Sequence, residues 1–359
     1  MKDDRWLETQ FPFRLVPTNL DNVYTTEALP ENFDLKNASD SDLVRRGLLL
    51  RRPKPEDSAA FKEIWNKICE RGVRIATPQL RARPKIVRPA WRRRLMEQAG
   101  FNWCGGVEGH PRALFDGGWN SVYGALTLPY LSLPSGIAEA SQTAGLSGWV
   151  GLGGWNWDGN NQLLQTILSF QLNQTPSGIT TFFNLPGFQW WVPVPGNAAE
   201  QEQAAGGDVI NPPPMNSGDL VFMFAGYVQA QDGSTWGSVF WLFVSDFEPG
   251  VTPLPFPIFN FLVPGPGGGP VSPTVEWIME NEAVTNNQPN TTVPVFSASA
   301  EAITPVTFIG TGGSDVASVY TPSPANGFAA MWSTLNGTIS DVASVALSTN
   351  AVSITYTGP

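Results

Sequence analysis

Over its C-terminal seven tenths, the chain alternates short apolar runs with clusters of turn-forming residues. SGWVGLG (147–153), QLLQTILSF (162–170), FQWWVPV (188–194), DLVFMFAGYVQA (219–230), TWGSVFWLFV (235–244), TVEWIME (274–280), VPVFSA (293–298) and AVSITYT (351–357) are aromatic and β-branched, with DGNN, PGN, QDGS and NGT between them. No helical pattern alternates with these runs, which argues against parallel β-α-β units and for an antiparallel sandwich of two sheets. In TVEWIME, period two sets Val275, Trp277 and Met279 on one face and Glu276, Ile278 and Glu280 on the other. Gln165 interrupts the apolar run LLQTIL and reads, on pattern alone, as a buried amide bonded to its neighbours.

The first hundred residues follow a different pattern. In DSAAFKEIWNKICER (57–71), Phe61, Ile64, Trp65, Ile68 and Cys69 fall on one helical stripe, with Asp57 placed as N-cap and Gly72 as stop. Around this helix, LVRRGLLLRRPKP and RARPKIVRPAWRRR are arginine runs broken by proline, which predicts extended backbone.

Charge sharpens the division. Residues 1–100 carry 20 of the 21 basic residues and 14 acidic ones, whereas residues 101–359 carry 17 acidic residues and a single cation, Arg112. Unpartnered carboxylates repel one another near neutrality and lose that repulsion as pH falls towards about 4. The expected organisation is therefore a basic segment, 1–100, and an acid-adapted β domain, 101–359. A basic arm lying over an acidic cleft, as an intramolecular prosegment released in acid, accounts for the pairing; a solvated tail or a docking arm for another protein is the alternative. Nucleic acid is not expected as a partner, because the acidic domain repels phosphates.

Several chemistries are removed by composition. His110 is the lone histidine, which disfavours histidine-based triads and paired-histidine zinc sites, and GxSxG, DTG and DSG are absent. No phosphate-binding loop is present, and neither a metal nor a cofactor is expected. Cys69 and Cys104 leave open one bridge or two free thiols. No apolar run is long enough for a membrane-spanning helix, and MKDDRWLETQ lacks the apolar core of a secretory signal.

An ordered set of short pieces carries a family resemblance. NWCGGV (102–107), WNSVYGALTLPYL (119–131), GWVGLGG (148–154), QLLQT (162–166), WWVP (190–193), SGDLV (217–221), VEWIMENE (275–282) and VPVFSASAEAITPVTF (293–308) resemble, in order and near spacing, the glutamic peptidases or eqolisins, from about residue 101 to the end. The resemblance implies a concanavalin-like β-sandwich and a secreted, acid-active endopeptidase made with a basic prosegment and acting on polypeptides. It places the catalytic glutamine on Gln165 and the catalytic glutamate on Glu280, with Trp103 and Trp149 matching the family's cleft tryptophans; Trp190 and Trp191 are expected to bind substrate beside them. Two positions depart from the pattern: Trp190 and Gly153 stand where the family has acidic residues.

The chemistry is coherent without the family. Peptide hydrolysis needs a base for water, an oxyanion donor and an acid for the leaving amine. One glutamate near its ordinary pKa of about 4.3 can serve as base and then acid, and a glutamine amide donates without titrating. The competing readings are a lectin or glycoside hydrolase on the same sandwich, with Asp158 or Glu139 as a second acid, and an inactive relative. A glycosidase is disfavoured because Glu276 and Glu280 on one strand stand about 13 Å apart.

Overall fold

The structure is a computed structural model. It describes residues 9–48, 50, 52–83, 85, 87–89, 103–109, 118–132, 142–153, 162–175, 178–245, 254–265, 272, 274–280, 298–299, 301–302, 304–314, 319–320, 327–331, 333–335, 338–340, 343–348 and 350–356. In chain order the first strands and helices are β1 (Leu15–Pro17), β2 (Tyr24–Thr26), α1 (Asp40–Arg45), α2 (Ala59–Arg71), β3 (Val73–Ile75), β4 (Gln79–Ala82) and β5 (Val87–Pro89). The long central strands are β6 (Trp103–Gly109), β7 (Ser121–Thr127), β8 (Leu131–Ser132), β9 (Gln142–Gly153), β10 (Leu163–Thr175), β11 (Gly178–Val194), β12 (Asn197–Ile210), β13 (Leu220–Gln229), β14 (Thr235–Val244), β15 (Phe256–Pro264) and β16 (Thr274–Glu280). The chain closes with β17 (Ala298–Ser299), β18 (Glu301–Ala302), β19 (Val306–Ser314), β20 (Val319–Tyr320), β21 (Gly327–Met331), β22 (Ser333–Leu335), β23 (Thr338–Ser340), β24 (Ala343–Ser348) and β25 (Ala351–Tyr356).

These strands form an all-β sandwich of two large, almost wholly antiparallel sheets. The first has the order β1-β2-β15-β14-β13-β7-β19-β25-β24, and the second β21-β6-β16-β9-β10-β11-β12-β4. Alternate residues of the second sheet fill the space between the layers: Val150, Leu152, Leu164, Leu168, Val275, Trp277 and Met279 belong to one buried cluster with Trp241 and Phe261 of the first sheet. Two indoles tie the layers by more than packing, because Trp241 Nε1 donates to the carbonyl of Ile167 and Trp277 Nε1 to that of Tyr123. The other face of the second sheet carries a separate apolar cluster of Val107, Trp149, Leu163, Ile167, Trp191 and Ile278. The period-two reading of TVEWIME agrees with this division.

The N-terminal segment is built into both sheets. β1 and β2 extend the first sheet beside β15, β3 runs parallel to β15, and β4 and β5 pair with β12 at the edge of the second sheet. Helix α2 lays Phe61, Ile64, Trp65 and Ile68 on the outer face of the first sheet, against Phe222, Phe240 and Ile258 among others. Its N-cap is Ser58 rather than Asp57: the Ser58 hydroxyl accepts from the backbone N–H of Phe61, while the Asp57 carboxylate accepts from Lys54 and Asn350. Gly72 ends the helix at φ 77°, as expected. Of the first arginine run only Leu43–Arg45 is helical, as the end of a short helix, α1, whose start is closed by a capping box between Ser39 and Asp42. Asn260 of β15, 2% exposed, bonds Thr25, Thr26 and the carbonyl of Gly47, so a buried amide of the first sheet is satisfied from the segment. Cys69 is a free thiol. Among the described residues no helix is long and apolar enough to cross a membrane.

Candidate functional site

The outward face of the second sheet gathers most of the residues named by the sequence. Gln165 on β10 is in register with Gly151 on β9 and with Gln189 on β11, and Gly151 is in register with Glu276 on β16. Gln165, Glu276 and Gln189 therefore share one cross-strand row on one face. Glu280 lies on the same face, opposite Ser147, four residues along β9 from the Gln165 row. Two strand spacings of about 4.8 Å and four rises of about 3.3 Å put the Gln165 and Glu280 backbones roughly 16 Å apart.

The ground between them is occupied by Trp149. Its indole Nε1 donates to Glu280 Oε2 at 3.0 Å, and its ring lies over Gly151, where an added Cβ would stand 2.8 Å from Cζ3. Glycine at 151 thus admits the ring that links the Gln165 row to Glu280. Gln165 is 5% exposed and Trp149 5%, whereas Glu280 is half-buried. Glu276 is 4% exposed and accepts from the Thr274 hydroxyl at 3.2 Å.

On the other side of Gln165 runs a chain of amides. Gln165 Nε2 donates to Gln189 Oε1 at 2.6 Å, Trp191 Nε1 donates to the same oxygen at 3.2 Å, and Gln189 Nε2 donates to Gln203 Oε1 at 3.2 Å. Gln203 reaches this position through a bulge: Trp190 pairs with Ala205 but Trp191 with Gln203, so one residue of β12 is skipped and Gln203 comes onto the site face. Further out, Asp208 of β12 pairs with Arg83 at 2.7 Å and Arg81 at 3.8 Å. A Cβ on Gly187 would meet both Asp208 Oδ1 and an Arg83 guanidinium nitrogen within 2.8 Å, so this ion pair lies over β11 at the rim of the same face.

The named tryptophans separate. Trp149 and Trp191 are on the site face. Trp190 is not: it points between the layers, 1% exposed, beside Tyr227 at a ring distance of 5.7 Å. Strand alternation is the reason, since adjacent residues of β11 face opposite ways, and the assignment of Trp190 to the cleft is corrected accordingly. The β11 side chain that faces Gln165 is Gln189, which sequence reasoning passed over. Trp103 is in register with Glu280 on β6; its side chain, that of Cys104, and all of His110, Glu139 and Asp158 lie outside the described residues. The Gly153 departure has a steric cause: φ is 80° and a Cβ there would sit 2.1 Å from the Gln162 carbonyl oxygen.

With this geometry in place, the comparisons with known proteins become interpretable. Residues 101–212 match the model of the Peptidase A4 family. The glutamic-peptidase resemblance is borne out there. The matched stretch contains Gln165, Gln189 and the tryptophans but ends before Glu280. Two solved structures are similar to the chain: a scytalido-glutamic peptidase with a peptide-based transition state analog (15% identity, TM-score 0.44) and SCP-B, a member of the eqolisin family, in a complex with the tripeptide Ala-Ile-His (16% identity, TM-score 0.40). In each case 72% of this chain and 100% of the other are covered. No curated protein matches the chain.

Proposed function

We propose that this protein is an acid-active endopeptidase of the glutamic type, in which Glu280 moves the proton and Gln165 supplies the amide donor. The observation that carries the reading is the placement of both on one face of the second sheet, with Trp149 spanning the row of Gln165 and donating to Glu280. In this reading the Trp149 ring swings off Gly151, the Gln165 and Glu280 side chains extend towards each other across the roughly 16 Å between their backbones, and Glu280 takes a proton from water as the water attacks the scissile carbonyl. Nε2 of Gln165 donates to the oxygen that gains charge, and Glu280 returns the proton to the leaving nitrogen. The Trp149 N–H stabilises the ionised carboxylate and fixes its orientation. Because Gln165 is nearly covered, productive binding includes a side-chain rearrangement that opens the face above it.

The basic segment enters the proposal in altered form. Release of a whole prosegment would strip α2 from an apolar sheet face and leave Asn260 without its three partners. Residues 9–83 therefore stay with the sandwich, held at the rim by the Arg83–Asp208 contact as well. The sugar-binding alternative is weakened by the burial of Trp149 and Trp191, which leaves their rings little area for stacking on a saccharide.

The test is digestion of a denatured protein at about pH 3 and pH 7 with an aspartic-protease inhibitor present. Acid-only cleavage that resists the inhibitor, and that is lost in both Glu280→Gln and Gln165→Ala, supports the reading. Binding of polysaccharides without proteolysis would replace it with a lectin.

A further inference from the structure

The amide chain beside Gln165 has a fixed direction. An indole N–H is a donor and never an acceptor, so the Gln189 atom that meets Trp191 Nε1 at 3.2 Å is its oxygen. That oxygen also receives Gln165 Nε2 at 2.6 Å, which occupies both of its lone pairs and turns the Gln189 NH₂ towards Gln203 Oε1. A flipped Gln165 would set two oxygens against each other at the same distance. One N–H of Gln165 is thus consumed in holding the amide, which leaves the second as the one that can serve a ligand once the face above it opens. Two features of the chain exist to build this arrangement: the β12 bulge that brings Gln203 onto the face, and Gly206, where a Cβ would stand 2.6 Å from Gln203 Nε2.

We propose that Gln189 is the positioning residue that presents Gln165 to the substrate, and that Trp191 sets the polarity of the chain. This rests on the peptidase reading of Gln165 given above. Gln189 acts on the reaction only through Gln165, by keeping a donor rather than an acceptor turned to the developing oxyanion.

The decisive variant is Gln189→Glu. A protonated carboxyl accepts through its carbonyl oxygen and donates through its O–H, so it reproduces the amide; the ionised form loses the donation to Gln203 and places a negative charge beside the oxyanion. Steady-state kinetics on a peptide substrate between about pH 2.5 and 5.5 would be compared for wild type, Gln189→Glu, Gln189→Leu and Trp191→Phe. Gln189→Leu is expected to lose about tenfold in kcat at every pH with KM within about twofold, as for a lost neutral hydrogen bond. Trp191→Phe loses severalfold in the same way. Gln189→Glu is expected to match wild type at the acid end and to fall to the leucine level or below as its carboxyl ionises. A ratio of Gln189→Glu to wild-type kcat that is flat with pH would overturn the proposal, as would losses confined to KM or tracking the unfolded fraction in thermal melts at each pH. Absence of cleavage by the wild type itself would remove the peptidase reading, an outcome distinct from an active wild type with a flat ratio.

Discussion

Glu108 offers a quantitative test of how the β domain responds to pH. It lies on β6 opposite Val275, on the side of the second sheet that faces between the layers, and is 3% exposed. Its Oε2 has no hydrogen-bond partner among the described residues. Burial alone pushes its pKa from the ordinary 4.5 to about 8. The sign follows from linkage: the native state holds the proton more tightly, so the carboxyl costs nothing below about pH 4.5, and stability is lost as pH rises from there through about 8. At about 1.36 kcal/mol per unit the full loss has a ceiling of roughly 4–5 kcal/mol, with about 2 lost by pH 6 and about 3 by pH 7. Gln at this position keeps the shape and removes the titration. Chemical denaturation of wild type and Glu108→Gln at unit intervals from about pH 4 to 8 should give curves within about 1 kcal/mol of each other at the acid end. They should diverge to a 2–3 kcal/mol advantage for the variant near pH 7. Parallel curves across the range, or a variant less stable at pH 7, would refute the argument that an unpartnered buried carboxyl sets this dependence.

Other predictions concern the segment and the backbone of the site. Phe61 is fully buried against Phe222 and Gly310, so Phe61→Ala should cost about 3–5 kcal/mol and lower the single unfolding transition of the whole chain; a separate early transition of the N-terminal segment with activity intact would show that the segment is a detachable body. Gly153→Ala should destabilise by more than the 1–2 kcal/mol of a left-handed residue, because its Cβ also meets the Gln162 carbonyl. A neutral result in urea denaturation would mean that the β9 end relaxes.

Much of this fold was legible because its determinants are local. Period two in TVEWIME and apolar runs such as TWGSVFWLFV fix strands and faces, and the stripe Phe61, Ile64, Trp65, Ile68 fixes a helix. β12 was not foreseen: NAAEQEQAAGGDVI has neither alternation nor β propensity and becomes a strand because β11 and β4 pair with its backbone on both sides. The place of the basic segment was equally hidden, since its hydrogen-bond partners lie up to 294 positions away. At the site, residue types suggested Gln165 and Glu280, but which β11 residue faces them depends on register. That is why Trp190 was expected where Gln189 stands, and why Glu276, in the same row as Gln165, drew less notice than Glu280.

That last ambiguity marks the most direct test of the account. The kcat for acid cleavage of a peptide substrate, measured at its best pH for wild type, Glu280→Gln, Glu276→Gln and Gln165→Ala, assigns the roles. The account predicts a loss of about 10²–10⁴ in Glu280→Gln, about 10²–10³ in Gln165→Ala, and activity within a few-fold of wild type in Glu276→Gln. Full activity in Glu280→Gln, or a loss that falls on Glu276→Gln in its place, would contradict it.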